Sequence, residues 1–296
     1  MSVSIFASSV RAKLWPSIFK SLEGTSVDYE VVFSGYCGDN DKILFGPQFI
    51  YETSQQAHYQ TTGNIKPSQV YEIARRKCTK ETIIWSADDA EYNNDVIGKA
   101  YKYWKEQNNE KLILSIQTKE SGYGNPQGSL FNMDVHRFFG GDRSSPLMAP
   151  LGLMSRRFLD ELGGIDRRYI CGQYENDIVM RAYAQGGSVK IFGNKDCYID
   201  IDHLGKSIMI GESTDENSFR ERPFATGYEH DRSILQGSWC TLNKERLTAY
   251  LKLGVNQLMP SQMYDISPTQ IDKFEPYEND ISLIKSESNN IPELWD

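Results

Sequence analysis

Three carboxylates close an apolar run in the segment TIIWSADDAEYN: Asp88, Asp89 and Glu91. Hard divalent cations prefer carboxylate oxygens, and Mg2+ or Mn2+ takes one or two from protein while phosphates supply others. A strand end fixes the direction of adjacent acids, so they can converge on one ion, and without a cation their repulsion is costly. The same residues also fit a solvated turn entering a helix N-terminus, where acids are favoured by the helix dipole. A second group stands in GGIDRRYICGQYENDIVMRAYAQGG, where Glu175 and Asp177 lie at or near a helix start. Either carboxylate can act as a general base beside the Gly-containing loop. They equally fit first-turn acids, with Asp177 and Arg181 as an i,i+4 ion pair. The third signal is His203 in YIDIDHLGKS, after a strand. Neutral imidazole can complete a Mn2+ site that carboxylates begin, although a lone His is more often structural or exposed. His58, His136 and His230 have no comparable context.

Elements of alternating type must position these groups. Residues 3–7, 29–33 and 82–86 are β-prone runs, followed by 112–116, 147–153, 189–192 and 198–202. Residues 11–22 carry Leu14, Trp15, Ile18, Phe19 and Leu22 at helical spacing, with Pro16 near the start, where a missing N–H costs little. Further helices are expected after Lys66-Pro67-Ser68, after a cap at Asn94 or Asp95, over 156–162 with Gly163-Gly164 as the stop, and over 175–185. Residues 46–66 lack clear periodicity, and 121–146 read as loop. Strands alternating with helices predict the α/β class, with a mainly parallel sheet flanked by helices. Ligands of such sheets bind beyond the carboxyl ends of the strands, which points to the loops at 7–13, 34–41 and 87–95. Apolar density falls after about residue 213, so the expected division is a first domain over 1–212 and a C-terminal extension over 213–296. That extension is partly helical, and its tail after 276 is acidic and rich in Ser and Asn.

Bulk composition narrows the function. The chain has 296 residues, 32 basic and 40 acidic, for a formal charge of −8. That field disfavours nucleic acid and anionic membrane as main partners, and an anionic substrate needs a local basic or metal site. Five dispersed cysteines with no CxxC pair argue for a reducing compartment, and no run approaches the length of a membrane span. The expectation is a cytoplasmic protein, with peripheral membrane contact left open. No G-x-x-x-x-G-K-[ST] loop, no G-x-G-x-x-G after the first strand and no G-x-S-x-G elbow is present.

The order of these groups resembles the GT-A glycosyltransferases, and glycosyltransferase family 2 in particular, over roughly residues 2–210. VSIFASSVRAKLWPSIFKSLEG is similar to the family's opening strand, loop and helix. VVFSGYCGDND stands where its second strand ends in an Asp-rich loop, with Ser34-Gly35 in place of the usual acid and Asp39 further on. KPSQVYEIARRKC resembles the segment before the metal motif, and WSADDAEYN resembles the Asp-x-Asp region, aligned as Asp89-Ala90-Glu91 with Asp88 preceding it. MAPLGLMSRRFLDELGGIDRRYICGQYENDIVMRAYAQGG is the most specific match. Aligning Asp177-Ile178 and Arg181 on the family pattern puts Glu175 at the catalytic-base position, where relatives usually have Asp, and leaves Asp177 as a competing assignment.

The resemblance implies a GT-A, Rossmann-like fold and an inverting, metal-dependent transfer of a sugar to an acceptor hydroxyl. It implies a nucleotide-diphosphate donor, with UDP favoured, and a glycan or lipid-linked acceptor. The donor is expected at Ala7, Ser8, Arg11, Asp39 and Asp88, and Mn2+ or Mg2+ at Asp89, Glu91 and His203. Two alternatives stay open. A sugar nucleotidyltransferase would carry a Gly-rich basic loop after the first strand, whereas ASSVRAKLW has Arg11 and Lys13 but no glycine. A non-catalytic carbohydrate-binding protein could keep the same fold. Oligomeric state is left open.

Overall fold

The computed structural model describes residues 2–9, 14–35, 49–53, 67–122, 125–130, 147–166, 169, 172–202, 231–232 and 235. Strand β1 (Ser2–Ser8) is buried from Val3 through Ala7. Burial on both faces is what an interior strand of a parallel sheet requires. It lies between β2 (Asp28–Gly35) and β4 (Thr82–Trp85) and runs parallel to both. Beyond β2 comes β3 (Phe49–Thr53), also parallel. On the other side stand β6 (Leu112–Ile116), β9 (Gly152–Ser155) and β10 (Ser188–Phe192). The order is β10-β6-β9-β4-β1-β2-β3, and β9 runs antiparallel to both its neighbours.

The described helices are α1 (Trp15–Leu22), α2 (Pro67–Lys77), α3 (Val96–Glu106), α4 (Arg156–Glu161) and α5 (Tyr174–Ala184). Strand alternation sorts them into two layers. Val3, Ile5 and Ala7 enter one core cluster with Trp15 of α1 and with Ile97 and Trp104 of α3. Phe6 and Trp85 enter the other, with Ala74 of α2, Phe158 of α4 and Ile178 of α5. Each fully buried Ile or Phe contributes about 1.5–3 kcal/mol relative to exposure. The α/β class with a mainly parallel sheet covered by helices on both faces is therefore observed.

A second sheet leans on the first core. It contains β5 (Ala90–Tyr92), β7 (Thr118–Gly122), β8 (Asn125–Leu130) and β11 (Ile199–Asp202), in the order β5-β11-β7-β8. Ala90 and Tyr92 of β5 and Ile199 and Ile201 of β11 enter the same cluster as α1 and α3.

Several expectations need correction. The stretch 87–95, read as a loop, contains β5, which pairs antiparallel with β11. Two strands occupy parts of 118–130, where 121–146 read as loop, and β3 occupies part of the aperiodic 46–66. The strand expected over 147–153 is Gly152–Ser155, and the helix expected from residue 11 begins at Trp15. Of the two proposed caps for α3, Asp95 does the capping. Its carboxylate accepts from Gly98 N at 3.2 Å and also from Ser26 N and Ser26 Oγ at 3.1 and 2.6 Å.

At the end of the sheet away from the strand carboxyl ends, Glu30 gathers β1, β2 and the entry to β4. Ser4 Oγ and Thr79 N donate to its Oε1 at 2.6 Å each, and Thr79 Oγ1 to its Oε2 at 2.7 Å. Burial alone would raise its pKa, but these hydrogen bonds outweigh it and hold the carboxyl below its usual range.

Candidate active site

The loops at the carboxyl ends of β1, β2 and β4 meet, as the strand order requires. Ser9 N donates to Ser34 O at 2.7 Å, and Ser86 N donates to Phe6 O at 2.9 Å, so the ladder continues past the strand ends. Ser9 is buried, and its Oγ donates to Asp88 Oδ2 at 2.9 Å while accepting from Trp15 Nε1 at 2.9 Å. A hydroxyl held between an indole donor and a carboxylate has one orientation, which sets the rotamer of Asp88. Ala7 is fully buried, so only its backbone can face a ligand, whereas Ser8 is half-buried and pairs with Ser34.

Asp88 and Asp89 follow β4 in a tight turn in which Ala90 N donates to Ala87 O at 3.3 Å. They are 5% and 2% exposed, which excludes the reading of this stretch as a solvated turn. The turn is braced from below. Ser86 Oγ and Tyr92 OH lie 2.7 Å apart, and Tyr92 N donates to Ser21 Oγ at 3.0 Å. Burial pushes the Tyr92 phenol far up, against the Ser86 hydrogen bond, and the nearby Asp89 charge adds to the rise. Glu91 is half-buried in β5, opposite Asp200 of β11. Asp200 in turn stands opposite Lys119 of β7, with Lys119 Nζ 3.5 Å from its Oδ2. Among the described residues, no three His, Cys, Asp or Glu side chains gather at metal-binding spacing. Arg11, Asp39 and His203 lie outside the described residues.

Helix α5 brings the second pair of acids. Asp177 is 2% exposed, and Arg181 Nε donates to its Oδ2 at 2.7 Å. Arg181 Nη1 donates in addition to Leu162 O at 2.5 Å, tying α5 to the end of α4. Asp177 is therefore the anchor of a buried ion pair, as the i,i+4 spacing allows. Glu175 is half-buried at the first turn of the same helix. Burial raises its carboxyl to about 7, although its own backbone N–H, which bonds the carboxylate, works the other way. A carboxyl poised near neutrality suits proton transfer at neutral pH.

Two tyrosines link the acidic turn to α5, and neither stands out in the sequence. Tyr71 of α2 donates its hydroxyl to Ser86 O at 2.7 Å. Its ring lies 5.0 Å from that of Tyr174, the residue before Glu175. The loop behind α5 is held by charge. Glu72 of α2 is 1% exposed, bonds Arg75 and Arg76, and accepts from Ile165 N at 2.9 Å. Arg75 also bonds Asp160 of α4. Tyr71 and Glu72 belong to a helix whose apolar spacing was legible, but their partners are distant in sequence, so periodicity carries no signal for their roles.

No family model matches the chain, and no curated protein matches it. The fold is similar to that of S. aureus TarS in several solved structures. TarS 1–349 is 12% identical, with a TM-score of 0.53, and the match covers 98% of this chain and 92% of that one. The structure of TarS 1–349 in complex with UDP-GlcNAc is 13% identical with a TM-score of 0.55, covering 100% of this chain and 82% of that one. Against a longer TarS chain the match covers 95% of this chain and 46% of that one, at 13% identity and a TM-score of 0.55. At these identities the likeness is one of fold: a mixed α/β architecture with a mainly parallel central sheet.

Proposed function

We propose that the protein is a GT-A glycosyltransferase that moves a sugar from a nucleotide-diphosphate donor, with UDP favoured, to an acceptor hydroxyl with inversion. One observation carries the reading. A carboxyl raised to about 7, Glu175, is tied through Tyr174 and Tyr71 to the strand end that bears Asp88 and Asp89. A fold shared with a protein crystallised with UDP-GlcNAc and with UDP supports the donor class.

In this reading the Ser9–Asp88 pair holds the nucleoside end of the donor, beside the backbone of Ala7 and Ser8, with Arg11 and Asp39 as further contacts. Glu175 accepts the proton of the acceptor hydroxyl as its oxygen forms a bond to the anomeric carbon. The bond from that carbon to the diphosphate oxygen breaks, and the nucleoside diphosphate leaves with the electron pair. A single displacement of this kind inverts the anomeric centre, as a carboxylate base opposite the leaving group does in inverting glycosidases. The ion pair between Arg181 and Asp177 supports Glu175 over Asp177 for this role.

Two carboxylates support Mn2+ or Mg2+ as the ion of this reading. Asp89 is buried at the strand end and Glu91 follows it, and such ions need only one or two protein carboxylates when phosphates complete the shell. Asp89 and Glu91 would hold it, with His203 as a third ligand. When bound, it would supply positive charge to the leaving diphosphate. The acceptor is a glycan or lipid-linked hydroxyl, and the site of action is the cytoplasm or the membrane surface facing it. Among the described residues no helix is long and apolar enough to cross a membrane.

The test is release of nucleoside diphosphate from a panel of nucleotide sugars with Mn2+, alongside thermal shift with each donor. A ligand that binds only the native state raises the melting temperature. Turnover establishes the enzyme, and sugar binding without turnover on any acceptor favours the carbohydrate-binding alternative.

A further inference from the structure

The stretch after residue 213 contributes one described group that reaches the candidate site. Asp231 is 0% exposed, and its Oδ2 accepts from Gly172 N at 2.8 Å. Gly172 stands three residues before Glu175, in the loop that launches α5. Residues 231, 232 and 235 have helical backbone, and Leu235, one turn beyond Asp231, is 4% exposed. Leu235 belongs to the same core cluster as Tyr169 and Tyr174, the residues flanking that loop. Arg232 between them is exposed. Asp231 and Leu235, at i,i+4 spacing, are both buried.

A wholly buried carboxylate is costly unless its oxygens are bonded, so its position here is specified. A charged acceptor on a backbone N–H also makes one of the stronger hydrogen bonds available. The loop it grips ends in Gln173 at φ 62, a left-handed residue at the cap of α5 that makes no side-chain cap bond. Within the first turn of α5, Asn176 Nδ2 donates to Gln173 Oε1 at 2.7 Å, and the turn takes further support from tertiary partners. Tyr71 holds it on one side through Tyr174.

We infer that Asp231 is a positioning residue for Glu175: through Gly172 it fixes the loop before α5, so a residue beyond 213 completes the proposed active centre. The inference rests on the proposed role of Glu175, and its test separates the two.

The full chain is compared as wild type, Asp231→Ala and Asp231→Asn. The amide oxygen of Asn can still accept from Gly172 N, so Asp231→Asn serves as the conservative rescue. Hydrogen exchange followed by mass spectrometry reads the loop directly. Asp231→Ala is expected to raise exchange at least about 10-fold in peptides covering 169–176, corresponding to about 1.4 kcal/mol of lost local protection, while β1 and β6 stay protected. Asp231→Asn returns exchange close to wild type. In turnover assays kcat falls about 10-fold or more in Asp231→Ala while the KM for donor changes less than about 3-fold, as a base displaced from its working geometry requires. Unchanged exchange at 169–176 in a folded Asp231→Ala protein overturns the clamp. A rise in exchange spread evenly over all peptides, unrescued by Asn, assigns Asp231 to global stability and also overturns it. Lost protection with wild-type kcat overturns the positioning role. A wild-type chain that turns over no donor defeats the catalytic reading and this role with it, while the exchange arm still decides whether the clamp exists.

Discussion

The rings of Tyr71 and Tyr174 lie 5.0 Å apart at an interplanar angle of 37°, while the Tyr71 hydroxyl bonds Ser86 O at 2.7 Å. Tyr71 therefore touches both halves of the site, the acidic turn after β4 and the first residue of α5. Phe6 packs edge-on against the same ring at 6.3 Å, which fixes it from a third direction. Tyr71→Phe keeps the ring contacts and removes the hydroxyl that bonds Ser86 O, a hydrogen bond worth about 0.5–1.5 kcal/mol. The expected result is a folded protein with donor affinity near wild type and kcat lowered about 3–10-fold. Steady-state kinetics with donor and acceptor varied separately check it.

Glu175 makes a pH prediction with a definite sign. The base must be ionised to take a proton, so kcat rises with pH along a limb centred near 7. Stability moves the other way. The folded state holds this proton more tightly than the unfolded chain, where the carboxyl sits at 4.5. The folded protein therefore loses stability as pH rises from 4.5 to about 7, and the loss is complete above that. Glu175→Gln removes the charge. Turnover is expected to fall about 100-fold or more with donor binding retained. At pH 8 the Gln variant gains on the order of 1–2 kcal/mol, after allowance for partial solvent screening of the half-buried side chain. Denaturant titrations at several pH values test the second claim independently of the first, and a near wild-type rate in the Gln variant removes Glu175 from the chemistry.

Gly164 is fixed by backbone and by space together. Its φ is +74°, and an added Cβ would stand 2.9 Å from Arg75 Nη2 and from both carboxylate oxygens of Glu72. Those groups are buried and bonded to each other, so they cannot swing aside. Gly164→Ala is expected to cost about 2–4 kcal/mol, combining left-handed strain with disruption of a buried ion network. Urea unfolding of the variant measures it, and a loss under about 0.5 kcal/mol, the size of an ordinary surface change, would contradict the packing.

Metal dependence is tested by chelation. Excess chelator is expected to abolish turnover and Mn2+ to restore it. Asp89→Asn is expected to raise the Mn2+ concentration for half-maximal activity by at least about 10–100-fold, the cost of changing even an outer partner of a metal ligand. Mn2+ binding followed by its electron paramagnetic signal gives the same answer without a donor. Full activity in excess chelator excludes the metal.

Much of the fold was legible because burial follows local periodicity. Val96, Ile97, Ala100, Tyr101 and Trp104 mark the inner face of α3 by spacing alone, and all are buried. The strands at 82–85 and 112–116 are mostly apolar runs, and both are interior. The Ala90–Tyr92 strand was not legible, since three alternating residues after two acids fit a turn as readily. What makes them a strand is pairing with β11, far along the chain. The acids at 88, 89 and 175 were visible as residue types, whereas their surroundings, Ser9 on Asp88, Tyr71 against Tyr174 and Asp231 on Gly172, were not.

By itself the sequence determined the class of the fold, the strand end on which Asp88 and Asp89 fall, and the helix start that carries Glu175, because each depends on neighbours within a turn or a strand. Tertiary structure alone decided which acid is spent in an ion pair and which is left with a raised pKa. Arg181 can reach Asp177 in any helix, but only packing against Leu162 and the core buries that pair. Desolvation and distant hydrogen bonds are properties of the folded surroundings, and no local pattern of residues encodes them.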